Sequence, residues 1–133
     1  MRRALFSRML LAIGVLLATA PVFAKMHATP VEWTVGKDRF SGHVVYDDAS
    51  KAKRPGLVMV PNWMGVTDVA VARAKAIAGG DYVVLVADVW GKGRQPKDSG
   101  EAGKFAGALR GEDRGPLRAR IAAAVATLKA QAG

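Results

Sequence analysis

The 133-residue sequence contains no cysteine and only two histidines. The absence of cysteine excludes a disulfide, a cysteine-ligated zinc site and a catalytic thiol within these residues. His27 and His43 do not form a metal-binding pattern with nearby carboxylates, so we expect no metal or other cofactor. Transmembrane-length apolar runs are also lacking, because the run at residues 9–18 is too short to span a bilayer.

Residues 1–24 have the organisation of a secretory signal peptide. Its positive region contains three arginines: Arg2, Arg3 and Arg8. The apolar run follows, and Val22 and Ala24 then provide small residues at the spacing of a cleavage site. We therefore predict a mature chain that begins at Lys25, is exported to the periplasm and meets the membrane only during export. The alternative is an uncleaved membrane anchor, which the short apolar run disfavours.

Basic residues outnumber acidic ones, and a basic domain raises nucleic acid as a partner. Removing the three signal-peptide arginines, with no acid, lowers the formal net charge from +9 to +6. The remaining basic side chains are scattered over two loops and the last predicted helix. They form no basic and aromatic stripe of the kind that single-strand binders use. We interpret most of them as solvated surface and expect no nucleic-acid partner.

The hydrophobic pattern predicts an α/β protein. Residues 31–36 and 40–48 read as strands joined by a Lys37-Asp38 turn, hence an antiparallel β-hairpin. Residues 57–60 and 82–88 are unbroken, valine-rich runs typical of buried parallel strands. The helix between them starts after the N-cap Thr67 and stops at Gly79-Gly80, completing a βαβ unit.

Two further helices are predicted after this unit. Residues 101–110 indicate a short helix, and a C-terminal helix begins at Pro116. Its apolar face is predicted to contain Leu117, Ile121, Val125 and Leu128. The expected order is therefore a hairpin, a βαβ unit of parallel sheet and a C-terminal helix.

Two segments that follow the buried strands carry a family resemblance: "NWMGVTD" at residues 62–68 and "ADVWGKGRQP" at residues 87–96. With their flanking strands they resemble the N-terminal half of a dienelactone hydrolase family protein, an α/β-hydrolase. The resemblance implies that residues 25–133 form half of such a domain. It also implies a hydrolase that acts on a small carboxylic ester or lactone, of anionic type, through an acyl-enzyme.

The resemblance gives the turn at residues 62–65 a role. In α/β-hydrolases a loop after an early strand supplies one backbone N–H to the oxyanion hole. We assign that N–H to Trp63, with Trp63 and Met64 bracing the turn by packing and Gly65 allowing its conformation. Asn62 departs from the best-known members, which have a carboxylate here; an amide can donate to an oxyanion but cannot act as a base. The alternative is a simple packed corner.

The second segment suggests an anion site. Family members use a basic residue in this loop to hold a substrate carboxylate, which makes Lys92 or Arg94 the candidate. The alternative is a solvated basic loop. Asp88 is expected to brace the loop, because the acid of this family comes later in the chain.

Three catalytic groups of the family are missing from these 133 residues. The sequence has no G-x-C-x-G or G-x-S-x-G elbow, and neither His27 nor His43 matches the late histidine of the family. We therefore expect no turnover by this chain alone and a C-terminal half as partner. The alternative is a non-enzymatic exported module that binds a small anion or a protein. The substrate, the nucleophile and the oligomeric state stay open. Strand 57–60 would be an exposed edge, so we expect low stability or aggregation.

Overall fold

The computed structural model describes residues 25–49, 51–111 and 113–131, so the predicted signal peptide lies outside the described residues. The elements, in chain order, are β1 (Met26–Val35), β2 (Asp38–Asp47), β3 (Gly56–Met59), α1 (Asp68–Ala78), β4 (Val83–Ala87), α2 (Ser99–Arg110) and α3 (Gly115–Lys129). This content confirms the α/β class. In the described part of the chain no helix has the length and apolar character needed to cross a membrane.

Strands β1 and β2 form the predicted hairpin, with antiparallel pairs from Met26↔Asp47 to Val35↔Asp38. The prediction was wrong in two details. β1 starts at Met26, five residues earlier than expected, and the turn is Gly36-Lys37, with Gly36 at a φ of 60°. Pro30 lies inside β1 and hid this extension. An edge strand tolerates a proline because one side of its backbone has no ladder partner to lose.

The sheet order is β1-β2-β4-β3, with β3 parallel and β2 antiparallel to β4. The predicted βαβ unit is confirmed, and α1 has Thr67 as its N-cap and Gly79 as its C-cap. Among the described residues β3 pairs only with β4. The Pro55 carbonyl accepts from the Val83 amide at 3.1 Å. Since backbone groups alternate in direction, those of Gly56 and Val58 point to the open edge.

Each face of the sheet has its own core, and β4 contributes to both. Val84 and Val86 pack towards α1, whereas Leu85 and Ala87 pack towards α3. All four side chains are fully buried. A strand covered on both faces has no polar alternation, which explains the unbroken valine-rich run in the sequence.

The two C-terminal helices differ from prediction at particular positions. Asp98 caps α2, and its carboxylate accepts from Glu101 N at 2.8 Å while Glu101 Oε2 accepts from Lys97 N at 2.7 Å. This reciprocal capping starts α2 at Ser99, earlier than expected. In α3, Val125 is exposed and Ala124 is buried in its place. The small Ala124 side chain lets the helix lie close to the sheet. The predicted face was wrong at Val125, whereas Leu117, Ile121 and Leu128 pack against the core as predicted.

Candidate active site

The loop after β3 is a tight turn that is held by its own first residue. Gly65 N donates to the Asn62 carbonyl oxygen at 2.9 Å, and Met64 N donates to Asn62 Oδ1 at 3.0 Å. Gly65 has a φ of +81°, which disfavours any side chain at this position. Because Asn62 Oδ1 accepts a hydrogen bond within the turn, the group of this side chain that is left for another partner is its NH₂, a donor.

Two residues of this turn, Asn62 and Trp63, have backbone amides that find no acceptor in the described part of the chain. No atom of the described residues accepts a hydrogen bond from Trp63 N–H. The indole is 51% exposed, so it does not brace the turn by packing as expected. The turn therefore holds two backbone N–H groups, those of Asn62 and Trp63, without an acceptor among the described residues, at the carboxyl end of a parallel strand.

The loop after β4 is organised around a buried carboxylate. Asp88 is only 5% exposed, and its Oδ1 accepts from Trp90 N at 2.7 Å. Gly91 N donates to both carboxylate oxygens, at 3.2 and 3.1 Å. Asp88 thus satisfies two backbone amides of the loop, which confirms the bracing role expected from the sequence.

The two strand-end loops touch each other. A β-carbon at Gly65 would lie 3.1 Å from Trp90 Cδ1, and Gln95 Nε2 donates to the Val66 carbonyl at 2.5 Å. A cavity of about 330 Å³ lies between them, lined by Ser41, Val66, Asp88, Gly91, Gly93 and Gln95. Ligands of open α/β sheets bind at this end of the strands. A larger groove, about 700 Å³, lies at the opposite end of the strands, between α3 and the sheet, and all four strands contribute to its lining.

Lys92 is held against the first hairpin. Its ammonium group donates to Glu32 Oε1, and Arg39 donates to Glu32 Oε2 at 2.6 Å. These hydrogen bonds, that from Lys92 first and that from Arg39 second, hold the pKa of Glu32 below its usual value. Lys92 N also donates to the Arg39 carbonyl at 2.8 Å. An anion would compete with Glu32 for Lys92.

Arg94 has a different environment. Its guanidinium carbon lies 5.9 Å from the centroid of the Phe105 ring, and that ring meets Trp90 edge-on at 5.7 Å. Arg94 is exposed and has no carboxylate partner within the described ranges. Of the two predicted anion-binding residues, Arg94 is the one whose charge is not already paired.

The histidines lie elsewhere. His27 bonds to Asp48 near the start of β1, and His43 pairs with Val86 in the middle of the sheet. No group of three metal-ligating side chains occurs in the part of the chain that the structure describes. The sequence analysis missed three residues that build the site: Glu32, Trp90 and Gln95. Their respective partners, Lys92, Gly65 and Val66, lie 60, 25 and 29 positions away in sequence. No local pattern links such pairs.

Comparison with known proteins gives this arrangement a class. The solved structure named m3DLH is 36% identical, with a TM-score of 0.74. P91, described as a dienelactone hydrolase-like promiscuous phosphotriesterase from metagenomic libraries, is 32% identical, with a TM-score of 0.72. Each similarity covers 80% of this chain and 44% of the other, so the chain spans less than half of these structures. No curated protein matches.

The mixed sheet, with paired loops at its strand ends, therefore has an α/β-hydrolase fold, of which this chain forms a part. A sequence model of the dienelactone hydrolase family matches residues 40–133, and the chain belongs to that family.

Proposed function

We propose that the chain is the oxyanion-binding half of an exported hydrolase that acts on small carboxylic esters or lactones through an acyl-enzyme. The observation that carries this proposal is the free Trp63 N–H in a turn fixed by Asn62. A donor held in place before the reaction stabilises a developing oxyanion without reorganisation, and losing one costs about 2.7–4 kcal/mol of barrier. Asn62 Nδ2 is a second donor in the same turn.

The anion site of this proposal is the loop that carries Lys92 and Arg94. Arg94 offers an unpaired, exposed guanidinium that can bind a carboxylate through two parallel hydrogen bonds. Lys92 contributes only if the substrate displaces Glu32. We therefore propose Arg94 as the main contact for an anionic ester or lactone, with Lys92 secondary.

The nucleophile, the acid and the histidine come from outside these 133 residues in this proposal, since the sequence contains no elbow motif. Residues 25–133 alone would then bind but not turn over substrate. The proposed location is the periplasm, on the strength of the signal-peptide pattern. Fractionation of cells that express the gene tests the location directly.

The test of function uses a joined protein, in which residues 25–133 precede the part of m3DLH that this chain does not match. We expect the joined protein to hydrolyse a p-nitrophenyl ester and an enol lactone, and the chain alone to show only the background rate. Steady hydrolysis by the chain alone, abolished by changes in the Trp63 turn, would contradict the proposal.

Two alternatives have their own readouts. P91 is described as a phosphotriesterase, so an aryl phosphotriester belongs in the substrate panel; turnover of it alone would redirect the substrate class. The second alternative is a non-enzymatic module that binds an anion or a protein through the Trp63 and Arg94 surface, which is exposed in the structure. A folded monomer that binds such a ligand, together with an inactive joined protein, would favour it.

A further inference from the structure

The first described residue is held by a carboxylate. Lys25 N donates to Asp48 Oδ1 at 2.9 Å, and Asp48 N donates to the Lys25 carbonyl at 3.2 Å. These contacts add one rung to the β1–β2 ladder beyond the Met26↔Asp47 pair. Lys25 is also the residue at which the signal-peptide pattern predicts the mature chain to begin.

His27 orients this carboxylate. Its Nε2 lies 2.8 Å from Asp48 Oδ2, and its ring stacks on Tyr46 with centroids 5.3 Å apart. One Asp48 oxygen therefore faces His27 and the other faces Lys25 N. The hydrogen bond from His27, and then that from the Lys25 amide, holds the pKa of Asp48 below its usual value.

We propose that Asp48 is a binding site for the α-ammonium group that signal-peptide cleavage creates at Lys25. A leader peptidase hydrolyses the Ala24–Lys25 peptide bond with one water. Ala24 leaves with a carboxylate, and the Lys25 nitrogen becomes –NH₃⁺ at neutral pH. A neutral donor 2.9 Å from a carboxylate is thereby replaced by a cation at the same place. Charge-assisted hydrogen bonds are roughly twice as strong as neutral ones.

The adjacent carboxylate already has its own partners, so Asp48 is the acid that can bind the ammonium group. Asp47, the adjacent carboxylate, already accepts from Ala49 N at 3.0 Å and pairs with Arg54 at 3.3 Å. Lys51, in the loop after β2, lines the same groove as Asp48. The acid that faces Lys25 N is therefore Asp48, with His27 as its second partner.

The proposal predicts that cleavage of the leader comes first and that stabilisation of β1 in the sheet follows. Met26 packs on the α1 side of the sheet, and β1 is an edge strand whose one ladder partner in the described part of the chain is β2. The precursor has only the neutral hydrogen bond at the start of β1, whereas the processed chain has an ion pair there. Removal of the leader thus fastens the first strand. This inference rests on the predicted cleavage site and is independent of the proposed hydrolase function.

The experiment uses the 133-residue chain expressed with its own leader, followed by purification of the processed protein. Intact mass should give Lys25 as the first residue. Limited carbamylation with cyanate at about pH 6.5, well below the ordinary α-amine pKa of about 7.7–8.0, then reports the fraction of uncharged α-amine, read by peptide mapping. We expect Asp48→Asn to react about threefold faster than the parent, which corresponds to half a pKa unit on the amine. Asp81→Asn, an exposed carboxylate just after α1, is the matched control and should not change the rate.

The outcomes separate the two parts of the inference. A first residue other than Lys25 overturns both the cleavage site and the ammonium site. If Lys25 is the first residue but the parent and Asp48→Asn react at equal rates, only the ammonium site is overturned. Concentrated urea should abolish the difference, and a difference that persists there would contradict a folded site. His27→Ala keeps the Asp48 carboxylate. If the Lys25 α-amine still reacts slowly with cyanate in this variant, the protection comes from Asp48 and its loss in Asp48→Asn is not an effect of general unfolding.

Discussion

Gly65 lies directly against the indole of Trp90: a β-carbon at position 65 would come 3.1 Å from Trp90 Cδ1 and 3.4 Å from Nε1. Trp90 is buried and meets Phe105 edge-on. The turn that presents Trp63 N–H therefore rests on a side chain from the second strand-end loop. This contact fixes one half of the candidate site relative to the other.

Gly65→Ala should destabilise the fold. A non-glycine residue at a left-handed φ costs on the order of 1–3 kcal/mol, and the tight approach to Trp90 adds to it. The free energy of urea unfolding of the joined protein is the measurement. Gly103→Ala is the control, because it lies in α2 with open space around its β-carbon; it should stabilise by about 0.5–1 kcal/mol. Equal effects at the two positions would show that the Gly65–Trp90 contact does not matter.

Asp88→Ala should be more damaging than Asp88→Asn. The alanine variant leaves the Trp90 and Gly91 amides buried without acceptors, at about 1–3 kcal/mol for each. The asparagine variant keeps one oxygen that can accept from both. Thermal melts of the joined protein should rank the parent first, then the asparagine and then the alanine variant. An alanine variant as stable as the asparagine variant would argue against the bracing role.

The Glu32 ion pairs should make a pH-dependent contribution. Because the pKa of Glu32 is lowered in the folded state, its stabilisation is present above the unfolded value of about 4.3 and is lost as the pH falls through the lowered pKa. Glu32→Gln in the joined protein should therefore lower the melting temperature slightly at pH 7 and have little effect well below pH 4. Adding Lys92→Gln should reduce the effect of Glu32→Gln. A difference that is constant with pH would contradict this origin.

The chain by itself should self-associate. β3 has one open edge in the described structure, and Val60 just after it and Val69 on α1 are exposed. Exposed apolar edges of this kind promote aggregation. Sedimentation at increasing protein concentration should show growing species, whereas the joined protein should remain a single small species. A monomeric chain with a cooperative melt would contradict this prediction.

Most of the fold could be predicted from the sequence, because the patterns that indicate its strands and helix ends are local. The valine-rich runs predicted β3 and β4, and Thr67 and Gly79 predicted the ends of α1. It missed the start of β1, where Pro30 interrupts the strand pattern, and it placed Val125 instead of Ala124 in the core. Pro30 is tolerated because β1 is at the edge of the sheet, and Ala124 is buried because α3 packs close to the sheet. Both depend on neighbours in space, which local sequence does not show.

The site was only partly predictable for the same reason. The N–H of Trp63 and the buried Asp88 follow from strand-end positions. The pairing of Lys92 with Glu32 joins residues that are distant in sequence and meet only through the sheet. Packing of Trp90 under Gly65 likewise requires two loops to be placed side by side. Sequence alone therefore left Lys92 and Arg94 equivalent, whereas the structure pairs Lys92 with Glu32 and gives Arg94 no carboxylate partner among the described residues.

The most direct test of the oxyanion assignment removes the backbone N–H of Trp63 and keeps the turn. Trp63 is the second residue of the Asn62–Gly65 turn, a position that proline favours, so Trp63→Pro deletes the N–H while remaining compatible with the turn. Trp63→Ala keeps the N–H and removes the indole. In the joined protein, kcat for ester hydrolysis should fall about 10²–10³-fold in the proline variant and far less in the alanine variant. Equal kcat values in the two variants, with both proteins folded, would contradict the claim that Trp63 N–H binds the oxyanion.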